Sequence, residues 1–402
     1  MPDVTDFDLA KPPPGFLDNP FPTYATLLQE APVLRLRDGS VLLSRHADLD
    51  RVYRDTARFS SDKRDMFAPV FGRGAALYTH HTNSLVFNDP PLHTRVRKIM
   101  ASALTPRAIA RMEPGLMATV DRLLDRMGPR VDLIEEFASA IPVEIIGNLL
   151  DVPLSERGPL RDWSLAILGA LEPAPGPEVL AQGNRAVEDF TAYLEGLVAR
   201  RRATPGDPEV DVLTRLIMGT REGETLSETE LLQNCIFILN AGHETTTNLI
   251  GNTLALLDDF RGERARLLAD PDLIGPAIEE SLRYLSPNQF GNRQAVEDVE
   301  IGGIEIAAGT VLHLCIGAAN RDPLVFDAPK RFDITRKQNR HLAFAGGPHV
   351  CVGLTLARLE GKVAVSRFLQ RFPSYRLEGA RVPGGRIRFR GYARLEGVTN
   401  DS

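Results

Sequence analysis

The chain has 402 residues, 43% of them hydrophobic and 25% charged, with a formal net charge of -6. That apolar content can bury a large core, and the acidic balance argues against general nucleic-acid binding. Residues 1–14 are acidic and proline-rich rather than a signal peptide or membrane anchor, and no apolar run approaches the roughly 18 residues a membrane span needs, so the expected location is the cytoplasm. Cys235, Cys315 and Cys351 are too few and too far apart for a disulfide framework or a CxxC zinc ribbon.

In chain order, residues 21–30 have amphipathic helical spacing. Residues 33–37 and 41–44 read as strands around an Asp38-Gly39 turn, followed by a helix over 47–58. No periodicity holds between Phe59 and Phe87, which predicts a long functional loop. From Asp89 the spacing turns helical, over 92–104, 107–126, 133–150, 160–171, 177–202 and 211–218, with proline turns at 173–177 and 204–208. Ser227-Glu-Thr-Glu230 is a capping box, in which serine caps the helix start and glutamate reaches back. The run it opens continues to Asp258, about 45 Å of helix, and is apolar nearly all round, which predicts a path through the core. A helix follows from Pro271 to before Pro287, then strand-like alternation over 295–306 and 311–316, a last helix over 354–372 and a closing hairpin strand over 386–395. With no linker and no repeat, the expectation is one mainly α domain over residues 1–402, with small β-sheets drawn from about 30–60 and 290–316.

Chemistry concentrates at Phe344-Ala-Gly-Gly-Pro-His-Val-Cys-Val-Gly353. Glycines and a proline make a tight loop that sets Cys351 at the mouth of the last helix, where backbone N–H groups and the helix dipole favour a thiolate. A lone thiolate in such a cradle suits the proximal ligand of a haem iron. A zinc site from His341, His349 and Cys351 lacks the usual spacing and a fourth ligand. In Ala241-Gly-His-Glu-Thr-Thr-Thr247 an acid and several hydroxyls lie mid-helix beside Gly242, which costs about 1 kcal/mol relative to alanine; together they would open the helix locally and set Glu244 and Thr245 beside a ligand. HExxH fails there because its fifth residue is Thr247. Glu280 and Arg283 pair at i,i+3, a weak signal alone. His93 and Arg97 share a helix face, and with Arg293 and His349 could hold haem propionates by charge-assisted bonds. Phosphate-binding glycine loops are absent.

Phe344, Gly347, His349, Cys351 and Gly353 resemble the haem-binding signature of the cytochromes P450, with Ala345 where that signature usually has its first glycine. Ala241-Gly242-x-Glu244-Thr245 is similar to the family's oxygen-activation motif, and Glu280-x-x-Arg283 to its helix pair. Asn320 through Asp333 resembles the meander before the ligand loop, and Asp89-Pro-Pro-Leu-His93-x-x-x-Arg97 the propionate-binding helix of bacterial members, with Leu104 where an aromatic is common. The resemblance implies a triangular, mainly helical prism with haem b, iron protoporphyrin IX, between the long helix and the Cys351 loop. It implies that Cys351 ligates the iron and pushes electron density toward it, that Glu244 and Thr245 relay protons, that His93, Arg97, Arg293 and His349 anchor propionates, and that Ala241, Phe344, Gly347 and Gly353 frame the macrocycle. Glu280 and Arg283 are then structural.

The same resemblance implies monooxygenation, by hydroxylation or O-demethylation, in which one atom of O2 enters a small or medium hydrophobic substrate such as an aromatic acid or terpenoid. Electrons would come from NAD(P)H through a separate ferredoxin and its reductase, docked on a monomer by Arg95, Lys98, Arg107, Arg336, Lys337 and Arg340. Residues 62–86 should cover the substrate pocket with Met66, Phe67, Val70, Phe71, Leu77 and Tyr78, with Arg64, Arg73, His80 and His81 as anion partners. Leu168, Leu239, Ala241, Asn288, Gln289 and Phe290 complete the expected lining. A peroxide-using haem-thiolate enzyme should lack the Glu244–Thr245 pair, and a non-catalytic haem sensor would not need it.

Overall fold

The computed structural model describes residues 2–208, 211–220 and 223–399. Helix α1 (Phe21–Glu30) leads into strands β1 (Val33–Arg35) and β2 (Val41–Leu43), paired antiparallel with Val33 opposite Leu43. Asp38 accepts from the Ser40 N–H at 3.0 Å and Gly39 takes φ +85°, closing the turn between them. Helix α2 (His46–Arg54) stops earlier than its spacing suggests, because the Asp55 carboxylate accepts from the Arg58 N–H at 3.1 Å and turns the chain into β3 (Phe59–Ser60). Residues 59–87 are not the long loop expected. They hold α3 (Arg64–Phe71), which is short and carries Pro69 inside it, and α4 (Ala76–Asn83), whose period is hidden because it buries His80, His81 and Thr82 alongside Leu77.

The helical series runs α5 (Leu92–Ala103), α6 (Pro106–Leu124), α7 (Ala140–Leu149), α8 (Leu160–Gly169), α9 (Pro177–Ala203), α10 (Val212–Met218) and α11 (Glu228–Asp259), with β4 (Arg130–Asp132) between α6 and α7. The helix expected over 133–150 is broken, since residues 134–138 form a wider turn in which the Ala138 N–H reaches Leu133 O at 2.9 Å. After α12 (Arg261–Ala269) and α13 (Ile274–Tyr284) come β5 (Phe290–Ala295), β6 (Val299–Ile301), β7 (Ile304–Ile306), β8 (Val311–Cys315) and α14 (Ile316–Ala319). The chain closes with α15 (Leu354–Arg371), β9 (Arg376–Pro383) and β10 (Tyr392–Val398). The strand expected over 386–395 begins instead at Tyr392, because Arg386, Arg388 and Arg390 leave the ladder and turn inward.

Strands from residues 33–60 and from residues 290–315 make one sheet in the order β1-β2-β8-β5-β3, with β2 and β8 parallel. A second sheet has the order β4-β10-β9, and β6 pairs with β7. Helix α11 crosses the helical core against α7, α8, α9, α13 and α15. Its capping box is formed as expected, with the Ser227 N–H on Glu230 Oε2 at 2.8 Å and the Glu230 N–H on Ser227 Oγ at 3.3 Å. Gly242 does not open this helix. A Cβ there would stand 2.7 Å from Ile146 Cδ1, and one at Gly251 2.6 Å from Ile134 Cδ1, so both glycines admit the side chains packed against α11. The threonine hydroxyls are returned to their own helix, Thr245 to Ala241 O at 2.7 Å and Thr247 to His243 O at 2.9 Å.

Candidate active site

A cavity of about 1090 Å³ lies between α11, the Cys351 loop, α3 and the β5–β8 pair, and its wall includes Ala241, Thr245, Phe344, His349, Cys351 and Gly353. Typical pockets for one small ligand are about 300–1,000 Å³, so this volume suits a large planar cofactor together with part of a substrate. The Cys351 N–H donates to Phe344 O at 3.0 Å and the Val350 N–H to Gly347 O at 3.1 Å, folding the loop back on itself. Gly347, at φ +61°, brings its Cα so close to α2 that a Cβ would fall 2.2 Å from Tyr53 O. It fixes the loop against α2 without reaching the cavity. The Cys351 side chain opens onto the cavity while protein surrounds it. Burial therefore raises its thiol above the ordinary value, opposed by the Gly353 N–H, Arg97 and Arg358. The loop N–H and the two arginines favour the thiolate and burial opposes it, and ligation to a metal would favour the thiolate further.

Above this loop, His93 and His349 stack at 3.8 Å between ring centroids, with Arg97 and Arg293 beside them in the cavity wall. Burial, reinforced by the neighbouring arginines, lowers both imidazoles, His93 to about 4 and His349 to about 2, so both are neutral donors. His93 Nε2, His349 Nε2 and Arg293 Nε are sealed from water without a hydrogen-bond partner. Buried donors of this kind are normally satisfied, and convergence on one cavity with a thiol fits the propionates and iron of a haem. Arg358 anchors the loop from the other side, stacking on Phe344 at 4.8 Å and pairing with Glu279 at 2.7 Å. His341 is also engaged by Glu279, at 3.2 Å.

Glu280 and Arg283 lie outside the cavity wall, fully buried. Arg283 Nε and Nη2 donate to the Glu280 carboxylate at 2.8 and 2.7 Å, and the guanidinium also serves Asn320 O, Pro329 O and Arg331 O, each at 3.0 Å. Glu280 further accepts from the Asp333 N–H at 3.0 Å, Arg336 Nε at 3.1 Å and Asn339 Nδ2 at 3.2 Å. A weak pair in the sequence is thus the hub that ties residues 320–339 to α13.

The acid and the alcohol of α11 part company. Thr245 faces the cavity, whereas Glu244 does not line it and instead accepts from Arg386 Nη1 at 2.5 Å. Burial pushes Glu244 up to about 7, Arg386 opposes that, and Glu172 adds to it. Arg386 was missed in the sequence because alternating arginines at 386, 388 and 390 look like the wet face of a strand.

A family model for cytochrome P450 matches residues 175–259 and 268–380. The biotin biosynthesis cytochrome P450 of Bacillus subtilis (strain 168) is 36% identical over 368 residues, covering 90% of this chain and 91% of that protein. The chain belongs to the cytochrome P450 family. The vitamin D(3) 25-hydroxylase of Pseudonocardia autotrophica is 38% identical over 369 residues, covering 90% of this P450 and 88% of the hydroxylase. The crystal structure of P450BioI in complex with hexadec-9Z-enoic acid ligated acyl carrier protein matches at a TM-score of 0.90 and 32% identity, covering 96% of this chain and 100% of that one. The P450 fold is thereby shown, as is monooxygenase membership, and the family implies a haem cofactor. No helix among the described residues is long and apolar enough to cross a membrane.

Within this P450 the expected pocket residues divide. Met66, Phe67, Val70, Phe71, Leu168, Ala241, Asn288 and Phe290 line the cavity. Leu77, Tyr78, Leu239 and Gln289 do not: Leu77 packs beside Gly183 of α9, Leu239 is core, Tyr78 Oη accepts from Arg73 at 3.2 Å, and Gln289 bonds Tyr24 Oη and Ser286 O. Arg64 is spent on Asp62 and on Asn88 Oδ1 at 2.9 Å, and Arg73 pairs with Asp65 at the surface. His80 and His81 do line the cavity, but burial lowers both imidazoles, His80 to about 4, so neither offers positive charge near neutral pH. The basic face is also smaller than expected. Arg95 pairs with Glu230 and Arg336 is drawn inward to Glu280, while Lys98, paired with Glu224 at 2.9 Å, stays exposed with Arg107, Lys337 and Arg340.

Proposed function

We propose that this P450 inserts one oxygen atom from O2 into a hydrophobic organic substrate, with electrons from NAD(P)H delivered by a separate ferredoxin to a cytoplasmic monomer. The observation that carries the reading is the convergence of the Cys351 thiol, the buried donors His93, His349 and Arg293, and the Thr245 hydroxyl on one cavity. Cys351 Sγ would ligate the haem iron, and His93, Arg97, Arg293 and His349 would hold the propionates. The haem, when bound, supplies the oxygen chemistry.

The protein's part is positioning and proton supply. Thr245 Oγ1 gives its own proton to Ala241 O, which leaves its lone pairs to accept a hydrogen bond from the cavity side. Glu244 sits near 7 and can exchange a proton at neutral pH, but must swing off Arg386 to deliver it toward Thr245. Arg107, Lys337 and Arg340 would form the positive surface that a ferredoxin approaches. The absorption spectrum of the reduced, CO-bound protein tests this reading. The long-wavelength Soret band of a thiolate-ligated haem is expected, and its loss in Cys351→Ser; a band at the position of histidine-ligated haem would overturn it.

A further inference from the structure

A second group of cations faces the cavity outside the His93–Arg97–Arg293–His349 set. Arg388 occupies the 384–391 turn between two arginines that are fully used. Arg386 holds Glu244 and donates to Leu165 O at 3.0 Å, and Arg390 donates to Leu17 O at 2.9 Å and Asp18 O at 2.7 Å. Among the described residues the Arg388 side chain makes no hydrogen bond or ion pair, and its Nε is sealed from water. Lys63 Nζ and His313 Nδ1 share this condition and the same cavity wall. Arg388 acts electrostatically on both Lys63 and His313, and Lys63 on His313, so the three are neighbours. The charges felt by His349 are Arg293, His93, Arg97 and Lys63, and those felt by His93 are Arg97, Asp89 and Arg293. Lys63 therefore adjoins Arg388 on one side and the proposed propionate donors Arg293 and His349 on the other.

An arginine whose Nε is sealed from water without a partner is costly to keep, and the cavity it lines is also walled by Phe67, Phe71, Phe87, Leu168, Phe290 and Phe389. Glu172 is the carboxylate that acts on Arg388; its Oε2 accepts from the Ile387 N–H at 2.9 Å, and its Oε1 is unpaired. Burial lowers His313 to about 4 and Lys63 to about 7, with Asp89 and Asp62 opposing the shift of Lys63 and Asp38 that of His313, so Arg388 is the member of the three that stays charged through neutral pH. The planar guanidinium fork matches the two oxygens of a carboxylate.

We propose that Arg388, flanked by Lys63 and His313, binds the carboxylate of an apolar carboxylic acid whose body lies against the phenylalanines of the cavity. This names the substrate class within the monooxygenase reading above and rests on it.

The test is calorimetric titration of the haem-loaded protein with matched pairs, decanoate against decan-1-ol and para-butylbenzoate against para-butylbenzyl alcohol, with the reduced CO spectrum recorded on the same preparation. At least one acid should bind about tenfold or more tighter than its alcohol. Arg388→Gln should abolish that preference while changing alcohol binding by less than about twofold, and Arg388→Lys should retain part of it. Equal affinities within both pairs would overturn the proposal, as would an Arg388→Gln variant that weakens acid and alcohol alike. Lost haem occupancy with the acid preference intact would assign Arg388 to the macrocycle instead. Should Arg388→Gln not fold, the acid–alcohol comparison in the unmodified protein and in Arg388→Lys decides. A thiolate band without acid preference overturns this inference alone; acid preference without a thiolate band supports the anion site and overturns the monooxygenase reading.

Discussion

Arg386→Gln removes the guanidinium that donates to Glu244 Oε2 at 2.5 Å and leaves a neutral hydrogen-bonding side chain in its place. The two side chains keep 20% and 11% of their exposure, so solvent screens their attraction only moderately. Two unit charges about 4 Å apart attract by about 4 kcal/mol at an effective dielectric near 20, and about 1.4 kcal/mol corresponds to one pKa unit. Arg386 therefore holds the carboxyl down by at most about three units. Burial already outweighs that attraction, leaving Glu244 at about 7. Without Arg386 the group should move about one to three units higher and stay protonated through neutral pH. Infrared titration of the protonated-carboxyl band, with Glu244→Gln as the blank, reads this directly. A midpoint that stays at its original value or falls would refute the assignment of Arg386 as the charge that restrains Glu244. The stability consequence has a definite sign. Folded Glu244 binds its proton more tightly than the unfolded chain, so the stability it contributes is full below about 4.5 and is lost as pH rises through about 7. In Arg386→Gln the upper end of that window moves upward.

Arg283→Ala should destabilise the protein by about 3–5 kcal/mol, because it strands the buried Glu280 carboxylate and three backbone carbonyls; a loss below about 1 kcal/mol in urea unfolding would contradict the hub role. Ala345 sits at φ +56°, left-handed backbone that a side chain disfavours, so Ala345→Gly should gain about 1 kcal/mol, and a lower melting temperature would count against the strain. Glu360, buried in α15 with Oε1 unpaired, is pushed up to about 8 by burial, against a hydrogen bond from Thr246. Its contribution is full below about 4.5 and lost as pH rises through about 8, so Glu360→Gln should flatten the stability curve across that window. Parallel slopes for the two proteins would exclude Glu360 as the source.

Much of the site was legible because its chemistry is local in sequence. The Cys351 loop carries its glycines and its ligand within ten positions, and the α11 capping box needs nothing beyond Ser227 and Glu230. Partnerships across the fold were not legible. Glu244 looked free until Arg386 arrived from 142 positions away, and Arg95 looked like docking surface until Glu230 took it up. Helix α4 escaped because its buried face uses histidine and threonine where a hydrophobic period expects leucine, and α3 because it is short and carries Pro69 inside it. Ala345 resembled a minor departure from a glycine pattern; its positive φ makes it a strained position.

The turn that carries Arg388 is held at both ends. Arg386 fastens one end to α11 and α8, while Arg390 is fixed by Leu17 O, Asp18 O, and its own N–H on Pro287 O at 2.7 Å. Asn252 of α11 adds a bond to Arg390 O at 3.0 Å, and Gly391 lies so close to Asn248 that a Cβ would meet its Oδ1 at 1.9 Å. Ile387, Arg388 and Phe389 therefore form a short cassette between fixed posts, of which Arg388 and Phe389 line the cavity while Ile387 packs on the cluster around Phe16 and Tyr24. For protein engineering this is the place to randomise first. A library confined to these positions, with Arg386, Arg390 and Gly391 kept, varies what the cavity admits while leaving the thiol loop as it is.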